Sequence, residues 1–388
     1  MPDAAPNQII AVLGAGQLGR MLALAGVPLG MRFRFLDPEA NPPASAVGEH
    51  IRAPFDDTDA LAALIDGADA VSFEFENVPA RVLGFITDQA IARGAAPPAP
   101  PAEALAVAQD RLREKQLFQE LDIPTPKFAP IETRAELDQA ITHLGFPLVI
   151  KTRCGGYDGK GQFLIREASE THKCWNALGL ACEDQQGGLI AEAFVTFQRE
   201  LSIIAVRARD GSTTCYPLVE NHHEGGILRC SIAPAPQITT KLQHEAESFV
   251  TRLLNRLEYV GTIALELFAV EDSGGTRLLA NEFAPRVHNS AHWTIEASNT
   301  SQFENHIRAI TGLPLGNTSM KTGITRAVML NLISTAPALA TILAAVPGAH
   351  PHLYAKAPRA GRKLGHITLL NPTDDELRTL TRTLMANT

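Results

Sequence analysis

Residues 8–19, QIIAVLGAGQLG, decide the fold of the first part of the chain. A short apolar run that ends in glycine predicts a buried strand, and the pattern over 20–26 predicts a helix after it. A second strand is expected at Arg32–Leu36, a helix at Thr58–Ile65 and a third strand at 70–75. This alternation predicts a parallel, doubly wound sheet that extends to about residue 100.

The glycine-rich turn at 14–19 lies between the first predicted strand and its helix. Its glycines permit a tight turn, and the helix N-terminus offers amides and a positive dipole end to a phosphate. Asp37 follows about 20 residues later, where a dinucleotide-binding fold places its ribose-binding acid. Taken alone, the pattern predicts a nicotinamide or flavin enzyme. The same turn also serves other phosphorylated ligands, or simply lets the helix pack against the strand.

The composition is that of a folded, acidic protein. The 388 residues suggest two or three domains, and the formal net charge of -8 argues against a general nucleic-acid-binding protein. The five cysteines form no CxxC pair, so we expect free buried thiols and neither a zinc site nor a disulfide framework. The first residues, MPDAAPNQ, lack a secretory signal, and no run of about 18 apolar residues is present. We expect a cytoplasmic protein without membrane or nucleic-acid partners, in which 335–349 forms a buried helix.

The middle of the chain begins after a proline-rich stretch. Residues 95–102, AAPPAPPA, predict a stiff, non-helical connection. Helices are expected at 103–122 and 133–144, and a strand at 146–151 leads into a glycine-rich loop. Further along, the patterns predict a long helix at 239–257 and strands at 188–195, 200–208, 214–219, 262–270 and 276–284.

The stretch 151–162, KTRCGGYDGKGQ, is a more specific signal than the first turn. Lys151 ends an apolar strand, and four glycines follow with Lys160 among them. Glycine-rich backbone can fold over phosphates, and lysines neutralise their charge. No Gly-Lys-Ser/Thr occurs here, so the loop is not a P-loop. It predicts a phosphate-binding lid, with a flexible hairpin tip as the alternative.

Glu266 and Glu282 form a predicted carboxylate pair. Two β-rich runs flank the residues 273–275, and a turn centred on Gly274 places the two glutamates opposite each other on one face. Opposed acids repel unless a cation lies between them, and magnesium binds through one or two carboxylates plus substrate phosphates. The pair therefore predicts a magnesium site, with two solvated strand acids as the alternative.

Two polar segments could hold an anionic ligand. The segment 281–294, NEFAPRVHNSAHWT, directly follows a predicted core strand, and the segment 354–366, YAKAPRAGRKLGH, places four cations on a Gly/Pro-containing turn. Their arginine, lysine, histidine and asparagine side chains are donors for phosphate or carboxylate groups. A hydrogen-bonded structural loop and a solvated basic loop are the alternatives.

With these segments in view, the chain resembles the ATP-grasp superfamily, and within it the family of N5-carboxyaminoimidazole ribonucleotide synthetases. The resemblance covers about 9–370 and is carried by GAGQLGRML, FEFENVP at 73–79, GGYDGKGQ at 155–162, FQRELS at 197–202, YPLVENHH at 216–223, NSAHWTIEA at 289–297 and GRKLGH at 361–366. It implies a mixed α/β and α+β protein. We expect a Rossmann-like domain at 1–102, an ATP-grasp domain at 103–314 with a lid at 146–210, and a small C-terminal domain at 315–388.

The resemblance implies ATP and Mg²⁺ as ligands of the middle domain. The residues expected to bind ATP are Arg111, Lys151, Gly156, Tyr157, Asp158, Gly159, Lys160, Gly161, Gln162, Glu192, Ala193, Phe194, Val195, Glu200, His223, Asn281 and Glu282. Among them, 192–195 would read the adenine through backbone groups, and Glu200 would bind the ribose hydroxyls. Glu266 and Glu282 would hold the metal.

The resemblance also implies a site for a ribonucleotide substrate. Its expected residues are Gly16, Gln17, Leu18, Glu76, Tyr157, Asp158, Arg199, Arg286, His288, Asn289, Lys356, Arg362 and Lys363. This use of the N-terminal turn argues against a nicotinamide cofactor. The chain departs from the family pattern at four small or apolar positions: Ala291 and Ala355 stand in place of glycine, and Val287 and Ala360 in place of proline.

The implied reaction is carboxylation of 5-aminoimidazole ribonucleotide with ATP and bicarbonate, in de novo purine biosynthesis. ADP and phosphate would be released, with carboxyphosphate as the intermediate. The expected catalytic residues are Lys151, Asp158, Lys160, Arg286, Lys356 and Lys363, with Asp158 as the base. A homodimer is expected. The alternatives are a formate-dependent glycinamide ribonucleotide transformylase, another ATP-grasp carboxylase such as biotin carboxylase, and a nucleotide-binding regulator without turnover.

Overall fold

A computed structural model of the chain describes residues 7–155, 161–183 and 187–385. Within these residues the strands form three sheets. Gly156, Tyr157, Asp158, Gly159 and Lys160, which the sequence analysis assigned to the lid, lie outside the described residues.

The first sheet confirms the predicted parallel, doubly wound arrangement. Its strands are β1 (Ile9–Leu13), β2 (Arg32–Leu36), β3 (Glu49–Ile51) and β4 (Ala70–Phe73), and its helices are α1 (Gln17–Gly26), α2 (Thr58–Ile65) and α3 (Ala80–Ala92). The strand order is β3-β2-β1-β4, with all neighbours parallel. Because β1 and β4 are adjacent, the turn after β1 and the segment after β4 meet at the same sheet edge.

The connection at 95–101 is non-helical, as the prolines predict. The single helix expected at 103–122 is wrong, because the structure has two helices, α4 (Ala102–Ala108) and α5 (Arg111–Glu120). Asp110 interrupts them with an extended backbone (φ -126°, ψ 106°), and its carboxylate accepts from the Leu112 N–H at 2.9 Å. An N-cap of this kind begins a new helix.

The second sheet is small and antiparallel. Its strands are β5 (Phe128–Ile131), β6 (Leu148–Thr152), β7 (Gln162–Ile165) and β8 (Leu189–Ala193), in the order β5-β8-β6-β7, and its helices are α6 (Arg134–Leu144), α7 (Thr171–Leu178) and α8 (Leu180–Glu183). The lid expected at 146–210 differs from this unit at both ends. The sheet already includes β5, and the chain leaves it after β8.

The third sheet has nine strands and is the largest of the three. Its strands are β9 (Arg199–Arg207), β10 (Thr213–Cys215), β11 (Val219–Glu224), β12 (Ile227–Ala233), β13 (Gly261–Asp272), β14 (Gly275–Ala284), β15 (Ala327–Ile333), β16 (His350–Leu353) and β17 (Lys363–Leu370). Their order is β14-β13-β9-β11-β12-β15-β17-β16, with β10 paired to β9. Since β15 pairs with β12, the section at 315–388, expected as a separate domain, contributes strands to the third sheet.

Helices cover the third sheet and join it to the first. They are α9 (Thr240–Arg256), α10 (Thr294–Ala297), α11 (Gln302–Thr311), α12 (Leu339–Ala345) and α13 (Asp374–Met385). Phe249 and Leu253 of α9 pack in one apolar cluster with Leu265 of β13. Phe303 and Ile307 of α11 instead pack with residues of α1 and β1, so the first sheet is docked on the third through α11.

The prediction of a buried helix at 335–349 is wrong. The helix α12 covers seven residues on the surface, where Leu339 is 46% and Leu343 is 37% exposed. Ile342 is fully buried because it faces the apolar cluster formed with β15, β17 and α13, against which Ala345 also packs. An apolar stretch this short can pack through one side only.

The five cysteines are free, and Cys174 alone is fully buried, so the expectation of buried thiols is too strong for the other four. None of the helices in the described part of the chain is long and apolar enough to span a bilayer.

Candidate active site

The hairpin of β13 and β14 brings Glu266 and Glu282 together through a bulge. Asp272 pairs with Gly275 across a two-residue turn, and this register continues to Leu267 opposite Ala280. The next pair is Leu265 opposite Phe283, so both Asn281 and Glu282 lie opposite Glu266. A bulge re-aims one side chain of the longer strand. It places Glu282 close enough that burial together with the Glu282 charge raises the pKa of Glu266 to about 8.

These two carboxylates fit a magnesium ion. The described residues contain no cluster of three or more His, Cys, Asp or Glu side chains that could hold a metal alone. Magnesium binds through one or two carboxylates, with phosphate oxygens and water completing its shell. The mutual repulsion that raises the pKa of Glu266 is the electrostatic feature that a divalent cation would relieve.

Two buried side chains of α5 hold the backbone on either side of Glu282. The Glu114 carboxylate accepts from the Phe283 N–H at 2.6 Å, and the Lys115 ammonium donates to the Asn281 carbonyl at 2.6 Å. Both side chains are buried, and burial beside Glu282 raises the pKa of Glu114 to about 8. Sequence reasoning missed both residues, because the stretch RLREKQLF has the polar composition of a solvated helix.

The Lys115 ammonium also connects β14, the strand that bears Glu282, with Glu192 on β8. Its Nζ lies 3.5 Å from Glu192 Oε2, and Lys151 Nζ lies 3.1 Å from Glu192 Oε1. Burial alone would raise the pKa of Glu192, but the two ammonium groups hold it at about 2. The Glu192 carboxylate therefore fixes Lys151 at the end of β6.

Other residues expected at the ATP site lie around Lys151. Arg111 donates from Nη1 to the Thr152 carbonyl at 2.8 Å, beside Lys151 on β6. The backbone N–H groups of Ala193 and Phe194 donate to the carbonyls of Lys127 (2.8 Å) and Pro147 (3.2 Å). These two amides are thus engaged within the protein. Adenine contacts by this segment stay a prediction, for Val195 and for the carbonyl groups.

Glu200 and His223 meet directly on the face of the third sheet that carries Glu266. The His223 Nδ1 atom and a Glu200 carboxylate oxygen form a short contact. Burial would lower the pKa of His223, but this contact and the further carboxylates Glu266 and Glu282 raise it. Glu200, the expected ribose-binding residue, therefore contacts His223, a side chain on which Glu266 and Glu282 also act.

Of the loop residues 156–162 expected over the ATP phosphates, Gly161 and Gln162 are described. The Gly161 carbonyl accepts from the Thr152 N–H at 2.9 Å, and Gln162 pairs with Lys151 across β6 and β7. The β6–β7 hairpin therefore places both ends of the glycine-rich loop beside Lys151.

The N-terminal turn binds a carboxylate of its own chain. Glu74, directly after β4, accepts from the Gly16 N–H at 2.8 Å and the Gly19 N–H at 3.0 Å, and Asp37 accepts from the Ala15 N–H at 2.9 Å. A Cβ on Gly16 would come within 2.7 Å of Glu74 Oε1. The glycine thus admits Glu74, which occupies the place of a dinucleotide phosphate, and the interpretation as a nicotinamide or flavin site is wrong.

The basic C-terminal segment lies against this turn. Lys356 donates to the side-chain oxygen of Gln17, and Arg362 lies 3.5 Å from Glu39. Burial lowers the pKa of Lys356, and the Glu74 charge opposes this shift. The side chain of Leu18 packs into the apolar cluster of the first domain, which leaves only its backbone for a ligand.

The remaining expected substrate residues gather at the end of β14. Glu76 Oε2 lies 2.8 Å from Arg286 Nη2, and His288 Nε2 lies 3.2 Å from Glu266 Oε1. The buried Oδ1 atom of Asn289 has no partner among the described residues. Lys363 lies near His288, whose pKa burial and neighbouring cations lower well below its usual range.

Arg199 is not brought to this site. Its neighbour Glu200 faces the metal pair, so Arg199 points to the other face of β9. There its guanidinium pairs with Glu220 (Nε to Oε2, 2.8 Å) and donates to the Pro236 carbonyl at 2.7 Å. The expectation that Arg199 contacts the ribonucleotide is therefore corrected to a structural ion pair.

A parallel-sheet domain, a small antiparallel sheet carrying Lys151 and a large sheet carrying two carboxylates define an ATP-grasp ligase. Comparison with protein families supports this class: the ATP-grasp domain matches residues 116–303 and the ribonucleotide synthetase preATP-grasp domain matches 8–109. The phosphoribosylaminoimidazole carboxylase C-terminal domain matches 327–379. Over 361 residues the chain is 50% identical to the N5-carboxyaminoimidazole ribonucleotide synthase of Pseudomonas aeruginosa, covering 93% of this chain and 94% of the relative. The chain belongs to the N5-carboxyaminoimidazole ribonucleotide synthase family.

Solved structures agree with this assignment. The N5-carboxyaminoimidazole ribonucleotide synthetase of Thermus thermophilus is 48% identical, with a TM-score of 0.85 over 97% of both chains. The synthase of Aspergillus clavatus, solved with ADP and 5-aminoimidazole ribonucleotide, is 28% identical, with a TM-score of 0.85 over 98% of this chain and 99% of that one. The predicted family, the fold class and the prediction of an ATP-using ligase are thereby confirmed.

Proposed function

We propose that this chain carboxylates 5-aminoimidazole ribonucleotide with ATP and bicarbonate, releasing ADP, phosphate and the N5-carboxylated nucleotide in purine biosynthesis. One observation carries the proposal: the ion pair between Glu76 and Arg286 (2.8 Å) joins the first domain to the segment that directly follows β14, the strand that bears Glu282. A site for a ribonucleotide and a site for metal-bound phosphates therefore adjoin. The Aspergillus clavatus relative binds ADP and 5-aminoimidazole ribonucleotide together.

The phosphate half of the site performs the activation of bicarbonate. Bicarbonate is a poor electrophile, and transfer of the ATP γ-phosphoryl group to it gives carboxyphosphate. Such transfer depends on positioning and on neutralising the spread negative charge. Lys151, held by Glu192 at 3.1 Å, supplies one fixed cation. Glu266 and Glu282 would hold Mg²⁺, which supplies further charge neutralisation when bound.

The residues proposed to bind the ribonucleotide include hydrogen-bond donors and one acceptor. Lys356 and Arg362 are cations beside the turn that holds Gln17, and they suit the nucleotide phosphate. The unpartnered Oδ1 atom of Asn289 accepts a donor of the substrate. Arg286 and Lys363 lie near His288, which contacts Glu266, and they suit bicarbonate. Asp158 as base and Lys160 as a lid cation stay predictions outside the described residues.

Phosphate release from ATP tests this function directly. With Mg²⁺ and bicarbonate, 5-aminoimidazole ribonucleotide is expected to stimulate release strongly, and Glu282→Gln to abolish the stimulation. Glu271→Gln, at the exposed far end of the same hairpin, is the matched control and should retain it. Stimulation by glycinamide ribonucleotide with formate instead would assign the chain to the transformylases. Tight ATP binding without turnover would favour a regulator.

The finer assignments are proposals of the same kind. We propose a cytoplasmic location, a homodimer and three units at 1–102, 103–314 and 315–388, of which the last two share the third sheet. The free state of the five thiols supports a reducing compartment. Light scattering on the eluting peak of a size-exclusion column measures the oligomeric state.

A further inference from the structure

A chain of buried hydrogen bonds runs beneath Glu266 and Glu282 and ends on His288, whose ring contacts Glu266. It begins on β12, where Ser231 Oγ lies 2.8 Å from Asn221 Oδ1, and continues from Asn221 Nδ2 to Ser202 Oγ at 3.0 Å. Ser202 Oγ lies 2.8 Å from Ser290 Oγ. Ser202, Ser231 and Ser290 are fully buried, and Asn221 is 5% exposed.

The chain then reaches His288. Ser290 Oγ lies 2.9 Å from His288 Nδ1, and His288 Nε2 lies 3.2 Å from Glu266 Oε1. His288 was expected from the sequence to bind the ribonucleotide. Its ring instead touches a carboxylate expected to hold the metal, and its other nitrogen faces the protein interior.

The direction of every bond follows from one backbone group. The Ser290 N–H lies 3.4 Å from His288 Nδ1, and an N–H can only donate. His288 Nδ1 is therefore an acceptor, and the Ser290 hydroxyl donates to it. A hydroxyl has one proton, so Ser290 must accept from Ser202.

The remaining bonds follow in the same direction. The Ser202 hydroxyl donates its hydrogen bond to Ser290 and accepts one from the Asn221 side-chain N–H. The Asn221 side-chain oxygen in turn accepts from the Ser231 hydroxyl. The proton of the neutral imidazole then lies on Nε2, the nitrogen 3.2 Å from Glu266 Oε1. The reversed chain would set Nδ1–H against the Ser290 N–H.

We propose that this chain holds His288 in its Nε2–H form and so orients the Glu266 carboxylate for the metal. Ser290, Ser202 and Asn221 are then positioning residues, which act through His288. A histidine or carboxylate that orients a metal ligand typically affects metal affinity or activity about 10- to 100-fold. The metal part of this inference rests on the proposed function, but the tautomer of His288 does not.

Nitrogen NMR of the full chain, labelled with ¹⁵N-histidine, tests the tautomer. The chain has twelve histidines, and the signals absent from His288→Gln identify His288. We expect one protonated and one unprotonated ring nitrogen, with couplings that place the proton on Nε2. An Nδ1–H pattern, or two protonated nitrogens, would overturn the proposal. The result does not depend on turnover, so failure of the proposed reaction would remain distinguishable.

The free Mg²⁺ concentration for half-maximal activity tests the positioning role. Ser290→Ala removes the donor to Nδ1, and it should raise this concentration about fivefold, the effect of one hydrogen bond, with a smaller change in kcat. Its His288 signals should lose the single Nε2–H pattern. Ser298→Ala is the matched control, because Ser298 is equally buried and its hydroxyl has no partner among the described residues.

Equal Mg²⁺ dependence in Ser290→Ala and Ser298→Ala would overturn the positioning role. If Ser290→Ala does not fold, Ser202→Ala removes the preceding donor and is expected to shift the Mg²⁺ dependence in the same direction. The NMR measurement on the unaltered chain tests the Nε2–H form of His288 and does not require Ser290→Ala or Ser202→Ala to fold.

Discussion

Glu74 accepts a hydrogen bond of 2.8 Å from the Gly16 N–H, so the turn that suggests a dinucleotide site is already occupied by an anion of the chain itself. The glycines in this turn are needed because backbone must approach a carboxylate closely, as it would approach a phosphate. The motif therefore marks an anion at a helix N-terminus, and only the tertiary structure shows which anion. The substrate cations Lys356 and Arg362 then lie beside the turn and not at its centre.

Glu74→Gln should destabilise the chain and weaken binding of the ribonucleotide. The amide retains one acceptor oxygen, so one of the two N–H bonds is lost at a cost of about 1–2 kcal/mol. The charge that helps keep Lys356 protonated is lost as well. Urea unfolding measures the first effect and the KM for 5-aminoimidazole ribonucleotide the second.

The control for this variant is Glu39→Gln. Glu39 pairs with Arg362 at 3.5 Å on the surface, and exposed pairs of this kind contribute less than about 1 kcal/mol. Equal unfolding midpoints for the two variants would contradict the role assigned to Glu74.

Lys115→Met should destabilise the chain strongly. It leaves the buried Glu192 carboxylate with one cation, and it leaves the Asn281 carbonyl without its donor. Removing one partner of a buried ion pair typically costs about 3–5 kcal/mol. Urea unfolding monitored by circular dichroism measures this loss.

A double-mutant cycle separates the buried charge from the lost packing. In Lys115→Met/Glu192→Gln the uncompensated carboxylate is gone, so the double variant should lose less stability than the sum of the two single variants. Additive losses would show that the Lys115–Glu192 contact is not energetically coupled.

Acid should destabilise the chain through buried neutral histidines. Burial lowers the pKa of His306 to about 4. Its Nδ1 accepts from the Thr262 N–H at 3.1 Å, and protonation would break that bond. Burial also lowers the pKa of His292 and His366 well below the usual range. A folded-state pKa below the unfolded value of about 6.5 means stability that is complete above pH 6.5 and is lost as the pH falls toward 4.

The free energy of unfolding between pH 7 and pH 5 checks this expectation. For one such histidine the linkage amounts to about 2 kcal/mol over that interval. His306→Gln should remove this part of the pH dependence, although it also lowers stability at pH 7. His244→Gln, on the exposed side of α9, is the control and should leave the slope unchanged. A slope that is the same in His306→Gln and in the unaltered chain would contradict the assignment.

Local patterns were sufficient for much of the fold. Strand and helix alternation predicted the first sheet, and the two β-rich runs predicted the hairpin that carries Glu266 and Glu282. The bulge that brings the pair together could not be read from the sequence, and the Glu114 and Lys115 contacts on either side of Glu282 come from a distant helix. Arg199 was misplaced for a related reason. A charged residue beside Glu200 looks like a site residue until the register assigns it to the other face.

The apolar stretch at 335–349 was also predicted wrongly from local sequence, because α12 lies on the surface. Its exposure predicts that a leucine of α12 and a leucine of α9 contribute differently to stability. Leu253 of α9 is fully buried against the third sheet, so Leu253→Ala should cost about 2–5 kcal/mol through the lost burial and the cavity. Leu343 of α12 is 37% exposed, and Leu343→Ala should change the free energy of unfolding by well under half of that. Urea midpoints of the two variants, measured with a common slope, check the contrast. A loss for Leu343→Ala as large as that for Leu253→Ala would show that α12 is covered in solution, and light scattering on that variant would then reveal whether a second copy of the chain covers it.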